Sequence, residues 1–276
     1  MKTRAITGFF FVLIMLGSLF LGQWVFAGFV LVLATASLFE YQKLLTLAEK
    51  QGTIPQHTQP LLQAGTLFGT ILLAVLMAVN QQVLTEKWAW SLVLILPCLF
   101  LIQLFRADKQ PFIRISNTAL GFFYVIVPFY CFYKLGFHFG TYQYLLPLGF
   151  LLLLWSNDTG AYLIGRAFGK HKLFERVSPN KTWEGFFGGW LSALLVSIIL
   201  YNQFPGTLHM THWLVFASLI SVIGTLGDLV ESSLKRTLQV KDSGNLLPGH
   251  GGLLDRFDGL LLSAPFCYTY FLFVVN

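Results

Sequence analysis

The chain has 276 residues, of which 55% are hydrophobic and only 11% are charged. Soluble globular domains average about 25% charged residues, so this composition excludes an ordinary soluble protein and indicates a chain that crosses a membrane several times. The formal net charge is +6. In a membrane protein such an excess is typical of a basic face beside anionic lipid rather than of nucleic-acid binding.

Nine segments are apolar over about the 20 residues that a helix needs to cross a bilayer. The first follows Lys2 and Arg4 as a signal peptide would, but a second apolar segment comes almost directly after it, so we expect a retained membrane helix. The seventh is rich in Gly and Ser, which favours close helix packing. The sequence therefore predicts an all-α, polytopic membrane helical bundle of about nine transmembrane helices. Their expected positions are 5–22, 24–47, 60–80, 88–105, 116–134, 142–164, 183–201, 212–230 and 258–275.

The basic residues indicate how these spans are oriented. With the N-terminus in the cytoplasm, 16 of the 18 Lys and Arg residues fall on the cytoplasmic side, and only Lys87 and Lys134 fall outside. The positive-inside rule therefore favours a cytoplasmic N-terminus. We expect residues 1–140 to form the N-terminal and middle transmembrane helices. Residues 141–276 are expected to form a C-terminal catalytic transmembrane region with cytoplasmic loops.

Two short polar regions precede the most polar one. Asn157 and Asp158 interrupt the sixth predicted span. They either form an inter-helix hydrogen bond, as Asn does in membranes, or face a wet cavity and bind a metal or a nucleotide. Further on, Lys181 lies between Ser178 and Thr182. These hydroxyl residues either cap or begin the seventh span, or hold phosphate oxygens together with Lys181.

The most polar region runs from Asp228 to Asp258 and holds five of the twelve acidic residues. If the eighth span continues as a helix, Asp228 shares a face with Glu231 and Lys235, and Asp255 shares a face with Asp258 at the start of the ninth. The glycines between them let backbone N–H groups approach a phosphate. Carboxylates from two helix ends predict a Mg²⁺ site, because Mg²⁺ takes one or two carboxylates plus phosphate oxygens and water. The alternative, a solvated loop with helix caps, is disfavoured by the cost of charges at membrane depth.

Two further features remain without an assigned chemistry. Glu40 is a lone carboxylate within the second predicted span, and both pairing with a neighbour and contact with lipid head groups are open. The cysteines at 98, 131 and 267 lie far apart in apolar runs, which argues against a disulfide framework. No His and Cys grouping in the sequence suggests zinc.

The C-terminal half carries a closely spaced set of residues. They are Ser233, Leu234, Lys235, Arg236, Lys241, Asp242, Gly244, Leu247, Pro248, His250, Gly251, Gly252, Leu253, Asp255, Arg256, Phe257 and Asp258. This set resembles, position by position, the signature of the phosphatidate cytidylyltransferases, or CDP-diacylglycerol synthases. Asn157-Asp158, Ser178-Pro179 and Lys181-Thr182 also look like that family, whereas the N-terminal half matches only in its apolar, multi-span character.

The resemblance implies that CTP and phosphatidic acid react to give CDP-diacylglycerol and pyrophosphate, in phospholipid biosynthesis. It implies Mg²⁺ as cofactor, with a second, monovalent cation left open, and a homodimer in the bacterial cytoplasmic (inner) membrane with its active site facing the cytoplasm. From the residues themselves we assign Asp228, Asp255 and Asp258 as metal ligands and catalytic residues, with Lys235 and Arg256. We assign to substrate binding Arg236, Lys241, Asp242, His250, Gly251, Gly252, Ser178, Lys181, Thr182, Asn157 and Asp158.

Three other functions compete with this interpretation. A transporter would use the same carboxylates as an ion path, but it predicts inverted repeats and polar residues at all depths, and the sequence shows neither. A CDP-alcohol phosphotransferase is disfavoured because its acidic motif is missing. A CTP-dependent lipid kinase would need similar residues, so only its products, CDP and a phosphorylated lipid, would distinguish it.

Overall fold

A computed structural model of the chain describes residues 2–54, 61–106, 110–244 and 251–275, with side chains from Thr7 onward. The described residues form eleven α-helices and one two-stranded antiparallel sheet. The helices are α1 (Lys2–Phe20), α2 (Gln23–Lys50), α3 (Leu62–Asn80), α4 (Lys87–Trp90), α5 (Ile95–Arg106), α6 (Pro111–Gly121), α7 (Val127–Leu135), α8 (Leu145–Phe168), α9 (Trp183–Gln203), α10 (Met210–Thr237) and α11 (Leu254–Val274). The strands are β1 (Lys172–Phe174) and β2 (Ser178–Thr182). A 3₁₀ turn joins α4 to α5, and a π-helical turn joins α6 to α7.

Each of the nine predicted spans contains helical residues in its described part, and seven helical segments of the described chain are long and apolar enough to cross a membrane. The seven are Gln23–Lys50, Leu62–Asn80, Lys87–Arg106, Pro111–Leu135, Trp183–Gln203, Met210–Thr237 and Leu254–Val274. The apolar part of α1 is shorter, at Thr7–Phe20, and α8 carries Ser156, Asn157 and Asp158 in its second half. A polytopic, helical membrane protein is therefore confirmed, with seven candidate spans where nine were predicted.

The chain divides into two compact units, each built from separate stretches of sequence. Unit 1 comprises Met1–Ser18, Gln23–Tyr130 and Thr237–Asp255, and unit 2 comprises Leu19–Gly22, Cys131–Arg236 and Arg256–Asn276. A segment near the C-terminus thus completes the unit that begins at the N-terminus.

Unit 1 packs α2 against α3 and the turn after α6 through small residues. An added Cβ at Gly69 would strike Leu38, and one at Gly65 would lie 2.6 Å from the Gln42 side-chain nitrogen. Leu38 is fully buried in this contact. Close approach of bare backbone is a common way for membrane helices to pack. It holds α2 firmly, including Glu40, which lies between these contacts in sequence.

Unit 2 packs α8 against α9 through a glycine face. Gly185, Gly188 and Gly189 are buried on α9. An added Cβ at Gly188 would strike Ile164 of α8, and one at Gly189 would lie 2.6 Å from the backbone carbonyl oxygen of Asn157. The predicted close packing of the Gly- and Ser-rich seventh span is confirmed.

A β-hairpin links α8 to α9 and is an exception to the all-α prediction. Lys172 pairs with Thr182 and Phe174 pairs with Ser178 across the two strands. The side-chain oxygen of Thr182 caps α9 by accepting a hydrogen bond from the backbone N–H of Gly185 at 3.2 Å. Capping is therefore confirmed for Thr182, whereas Ser178 lies in a strand.

Candidate active site

The parts of α10 and α11 that belong to unit 2 meet backbone to backbone beside two aspartates. An added Cβ at Gly227 would lie 2.5 Å from the carbonyl oxygen of Asp258, and one at Gly259 would lie 3.6 Å from the carbonyl oxygen of Gly224. Because glycine has no Cβ, the two helices can approach closely here. Gly227 directly precedes Asp228 and Gly259 directly follows Asp258. The helix contact therefore brings these two side chains to one place.

Three carboxylates and one ammonium group interact in this region, and we call Asp158, Asp228 and Asp258 the aspartate cluster. Asp258 interacts electrostatically with Asp228, Asp158 and Lys181, and Asp158 interacts with Lys181 and Asp228. The Nζ of Lys181 forms an ion pair with Oδ2 of Asp228. With all three carboxylates ionised, the negative charges outnumber the single positive charge. Such a cluster is suited to a cation.

Local hydrogen bonds orient the aspartate cluster. The Ser232 hydroxyl donates to Oδ1 of Asp228 at 3.1 Å, and the backbone N–H of Gly259 donates to Oδ1 of Asp258 at 2.6 Å. The side-chain amide of Asn157 donates to Oδ1 of Asp158 at 3.4 Å. Each carboxylate is thus held by a donor on its own helix. The side chains therefore lose less conformational freedom when a ligand binds.

The hairpin that carries Lys181 is fastened to the start of α9. Oε2 of Glu184 accepts hydrogen bonds from the backbone N–H groups of Lys170 and His171, at 3.1 and 3.2 Å. The ring Nδ1 of His171 lies 2.6 Å from Oε1 of the same carboxylate. These bonds hold the first residues of the hairpin against the helix that follows it, and so support the position of Lys181.

The other predicted phosphate-binding cations of unit 2 differ in their surroundings. Helix α10 continues to Thr237, so Asp228, Glu231 and Lys235 lie on one helical face, as predicted. The Nζ of Lys235 lies 3.1 Å from Oε1 of Glu231, whose side chain is only 1% exposed. Arg236 and Arg256, by contrast, are exposed. Lys235 is therefore paired with a buried carboxylate, and the two arginines lie at the surface.

Asp255 lies in unit 1, where its carboxylate binds the loop before α11. Oδ2 accepts hydrogen bonds from the backbone N–H groups of Ser243 and Gly252, at 2.9 and 3.0 Å, and from the Ser243 hydroxyl at 3.1 Å. Gly251 has a φ of +83°, which glycine adopts without strain. The structure thus gives Asp255 the role of a loop anchor, and its predicted role as a metal ligand stays a prediction.

The remaining predicted residues lie around this loop. Lys241 and Asp242 are exposed in the turn that leads into it. His250 belongs to residues 245–250, outside the described part of the chain. Within the described ranges, no three His, Cys, Asp or Glu side chains are arranged so that they could hold a metal ion by themselves. A metal here would need ligands from a substrate or from water as well.

Sequence reasoning missed the residues that bring the aspartates together. Gly224, Gly227 and Gly259 allow α10 and α11 to touch, and they had no place in the predicted site. The sequence did contain an indication of this contact, because Asp228 and Asp258 each have a glycine as a direct neighbour. A glycine beside an acidic residue in a membrane helix indicates a close contact at the height of that charge.

Comparison with known proteins identifies the family. Residues 2–274 match the cytidylyltransferase family. The chain belongs to that family. It is 34% identical over 274 residues to a phosphatidate cytidylyltransferase of Staphylococcus haemolyticus, and this match covers 96% of each protein. The family predicted from the C-terminal signature is confirmed.

Shorter stretches of the chain are more strongly similar to other cytidylyltransferases. The chain is 53% identical over 116 residues to a phosphatidate cytidylyltransferase of Staphylococcus epidermidis and 52% identical over 119 residues to one of Bacillus subtilis. Each of these two matches spans 44% of the relative's own length. All three relatives are bacterial proteins, and the chain itself is an integral membrane protein with seven candidate spans in its described part.

Proposed function

We propose that this chain is a phosphatidate cytidylyltransferase, which transfers the cytidylyl group of CTP to phosphatidic acid and releases pyrophosphate. The observation that carries the proposal is the aspartate cluster, with Lys181 ion-paired to Asp228. It combines the cation-binding and phosphate-binding groups that phosphoryl chemistry needs. Family membership and the Staphylococcus haemolyticus relative, matched over 96% of the chain, support the same reaction.

The reaction needs no covalent enzyme intermediate. A phosphate oxygen of phosphatidic acid attacks the α-phosphorus of CTP and forms a new P–O bond. The bond from the α-phosphorus to the oxygen bridging to the β-phosphorus breaks, and its electron pair leaves with pyrophosphate. Because the attacking oxygen is already anionic, the protein has to bring two polyanions together and neutralise the charge on the transferred group.

Basic residues of unit 2 supply this neutralisation. Lys181 reaches Asp228 from the hairpin, and its ammonium group is positioned to contact a phosphate beside the cluster. Arg236 and Arg256 are exposed at the surface, and we assign them to the triphosphate and the lipid phosphate. Lys235 completes the set, held in place by Glu231. Ser178, Thr182 and the loop residues Lys241, Asp242, His250, Gly251 and Gly252 keep their predicted roles in substrate binding.

The chemistry of the aspartate cluster fits Mg²⁺. Asp228 and Asp258 offer two interacting carboxylates from neighbouring helices, and Mg²⁺ takes one or two carboxylates, with phosphate oxygens and water completing its shell. When bound, Mg²⁺ would neutralise triphosphate charge and make the α-phosphorus more electrophilic. We assign Asp228 and Asp258 as its ligands, with Asp158 as a neighbouring carboxylate and Asp255 as a third ligand predicted from the sequence.

The orientation and assembly are part of the same proposal. The N-terminus and the active site face the cytoplasm of a bacterial cell, across its cytoplasmic membrane, and the enzyme is a homodimer. The strongly asymmetric distribution of Lys and Arg supports the orientation. Bacterial relatives support the location, and the family resemblance supports the dimer.

A direct assay tests the proposed function and its need for metal. Purified protein in detergent is expected to convert CTP to pyrophosphate and CDP-diacylglycerol only when phosphatidic acid and Mg²⁺ are both present. Chelation by EDTA should stop the reaction, and excess Mg²⁺ should restore it. Formation of CDP and a newly phosphorylated lipid would instead identify a lipid kinase, and the absence of any CTP-derived product would contradict the proposal.

Replacing Lys181 with methionine should weaken CTP binding. The change removes the ammonium group that pairs with Asp228, so the uncompensated aspartate cluster would repel the triphosphate. A charge-assisted hydrogen bond contributes about 2 kcal/mol, so kcat/KM for CTP should fall about 30-fold. Lys170→Met, at an exposed position before the same hairpin, is the matched control. Equal kcat/KM values for the two variants would remove Lys181 from the site.

A further inference from the structure

Glu40, the lone carboxylate of the second span, is bound to the segment that leads into α11. Its side chain lies in unit 1 and is only 3% exposed. Oε2 accepts a hydrogen bond from the backbone N–H of Leu254 at 2.9 Å and one from the Ser243 hydroxyl at 3.2 Å. A buried carboxylate is costly unless donors compensate it. Here the donors come from residues that lie more than 200 positions further along the chain.

Ser243 connects this carboxylate to a second one, and its single hydroxyl proton is shared between the two. Its hydroxyl oxygen lies 3.2 Å from Oε2 of Glu40 and 3.1 Å from Oδ2 of Asp255, and the residue is only 5% exposed. Asp255 also binds the backbone N–H groups of Ser243 and Gly252. The loop is thus fixed at three positions, 243, 252 and 254. Glu40 supplies the anchor that comes from α2.

Two glycines of the predicted signature make room for Glu40. An added Cβ at Gly252 would lie 2.5 Å from Oε1 of Glu40, and one at Gly244 would lie 2.7 Å from its carboxyl carbon. Any side chain at either position would displace the carboxylate or the loop. Glu40 therefore accounts for glycine at 244, and Glu40 together with the Ser243 hydroxyl accounts for glycine at 252.

We propose that Glu40 is a positioning residue for the cytidylyl-transfer site. It binds the described residues Ser243 and Leu254 on either side of residues 245–250, and through the Leu254 amide it fixes the first turn of α11, one turn before Asp258. Glu40 acts through these bonds and not by touching a substrate. The proposal rests on the proposed function, because the loop and α11 carry the residues assigned there to CTP and Mg²⁺.

Two substitutions of Glu40 distinguish the effect of its hydrogen bonds from the effect of the space that its side chain fills. Glu40→Leu removes both hydrogen bonds. We expect two quantities to rise about tenfold or more, the KM for CTP and the Mg²⁺ concentration that gives the half-maximal rate. The KM for phosphatidic acid should stay unchanged. Glu40→Gln keeps an oxygen that accepts both hydrogen bonds, so these values should stay within about threefold of the wild type. Wild-type kinetics for Glu40→Leu, or equal impairment of both variants, would overturn the proposal.

Controls distinguish a positioning defect from a folding defect. Glu86→Leu, the same change at an exposed glutamate of unit 1, should behave as the wild type in melting temperature and kinetics. If Glu40→Leu does not fold, Glu40→Ala replaces it, because it removes both hydrogen bonds with a smaller side chain. A raised KM for CTP at an unchanged melting temperature would then support the proposal, and wild-type kinetics would overturn it.

Hydrogen–deuterium exchange provides a readout that needs no turnover. Exchange of residues 251–256 should be faster in Glu40→Leu than in the wild type, and unchanged in Glu40→Gln. This result supports the anchor even if the wild type forms no CDP-diacylglycerol, an outcome that would contradict only the proposed function. Equal exchange in Glu40→Leu and the wild type overturns the anchor while leaving the proposed function intact.

Discussion

Asp258→Asn is expected to abolish CDP-diacylglycerol formation while leaving the protein folded and in the membrane. Asparagine preserves the shape of the side chain, and its oxygen can still accept the hydrogen bond from the backbone N–H of Gly259. It removes the negative charge that interacts with Asp228 and Asp158 and that we assign to Mg²⁺. We expect kcat to fall at least about 100-fold, which corresponds to about 2.7 kcal/mol of lost transition-state stabilisation.

The same substitution should not lower the melting temperature. Removing one of three like charges relieves repulsion within the aspartate cluster, so the variant should be as stable as the wild type or more stable. Loss of activity with retained stability is typical of residues that serve a site rather than the fold. The opposite pattern, a lower melting temperature with normal turnover of the folded fraction, would assign Asp258 a structural role.

A charge-matched control completes this experiment. Glu175→Gln also removes one carboxylate charge from unit 2, but at an exposed position in the turn of the hairpin. Initial rates would be measured with labelled CTP over a range of Mg²⁺ concentrations, and thermal unfolding would be followed in detergent. Near-normal rates for Asp258→Asn would exclude Asp258 as a metal ligand, and Asp228→Asn would then test the remaining ligand.

Helix positions could be predicted from the sequence because a membrane span needs a continuous apolar run. Each of the nine predicted spans contains helical residues in its described part. The predicted ends differ where polar residues continue a helix. Helix α10 extends to Thr237 and α8 to Phe168, beyond the apolar stretches. Hydropathy detects where contact with lipid ends, whereas a helix ends where its backbone hydrogen bonds end.

The site itself could be predicted only as a set of residue types. Lys181 and Asp228 are paired in the structure, yet they lie far apart in the chain and on different elements, so no local periodicity links them. The strand at Ser178–Thr182 has a sequence with little strand preference. It pairs because the neighbouring α8 and α9 bring the ends of the connection together. Glu40 had no visible partner for the same reason.

Gly227→Ala is expected to separate the two proposed metal ligands without changing any charge. The added Cβ would lie 2.5 Å from the carbonyl oxygen of Asp258 and 3.1 Å from Cβ of Leu262. Atoms in proteins do not approach so closely, and a helix backbone cannot rotate away as a side chain can, so α11 has to shift relative to α10. Binding sites lose function when their groups move by about 0.5 Å. We expect kcat to fall between about tenfold and 100-fold, because even a shift of about 1 Å can reduce a rate 100-fold.

Gly28→Ala isolates the effect of this helix contact. Among the described residues, nothing lies within 4 Å of a Cβ added at Gly28, which is also inside a helix. Alanine favours a helix over glycine by about 1 kcal/mol at either position, so that gain cancels in the comparison. The rate would be measured at saturating CTP over a range of Mg²⁺ concentrations. Gly28→Ala should have the rate and Mg²⁺ dependence of the wild type, whereas Gly227→Ala should be slower and need more Mg²⁺. Equal rates would mean that the contact between α10 and α11 does not set the distance between Asp228 and Asp258, and the two-carboxylate metal site would lose its structural basis.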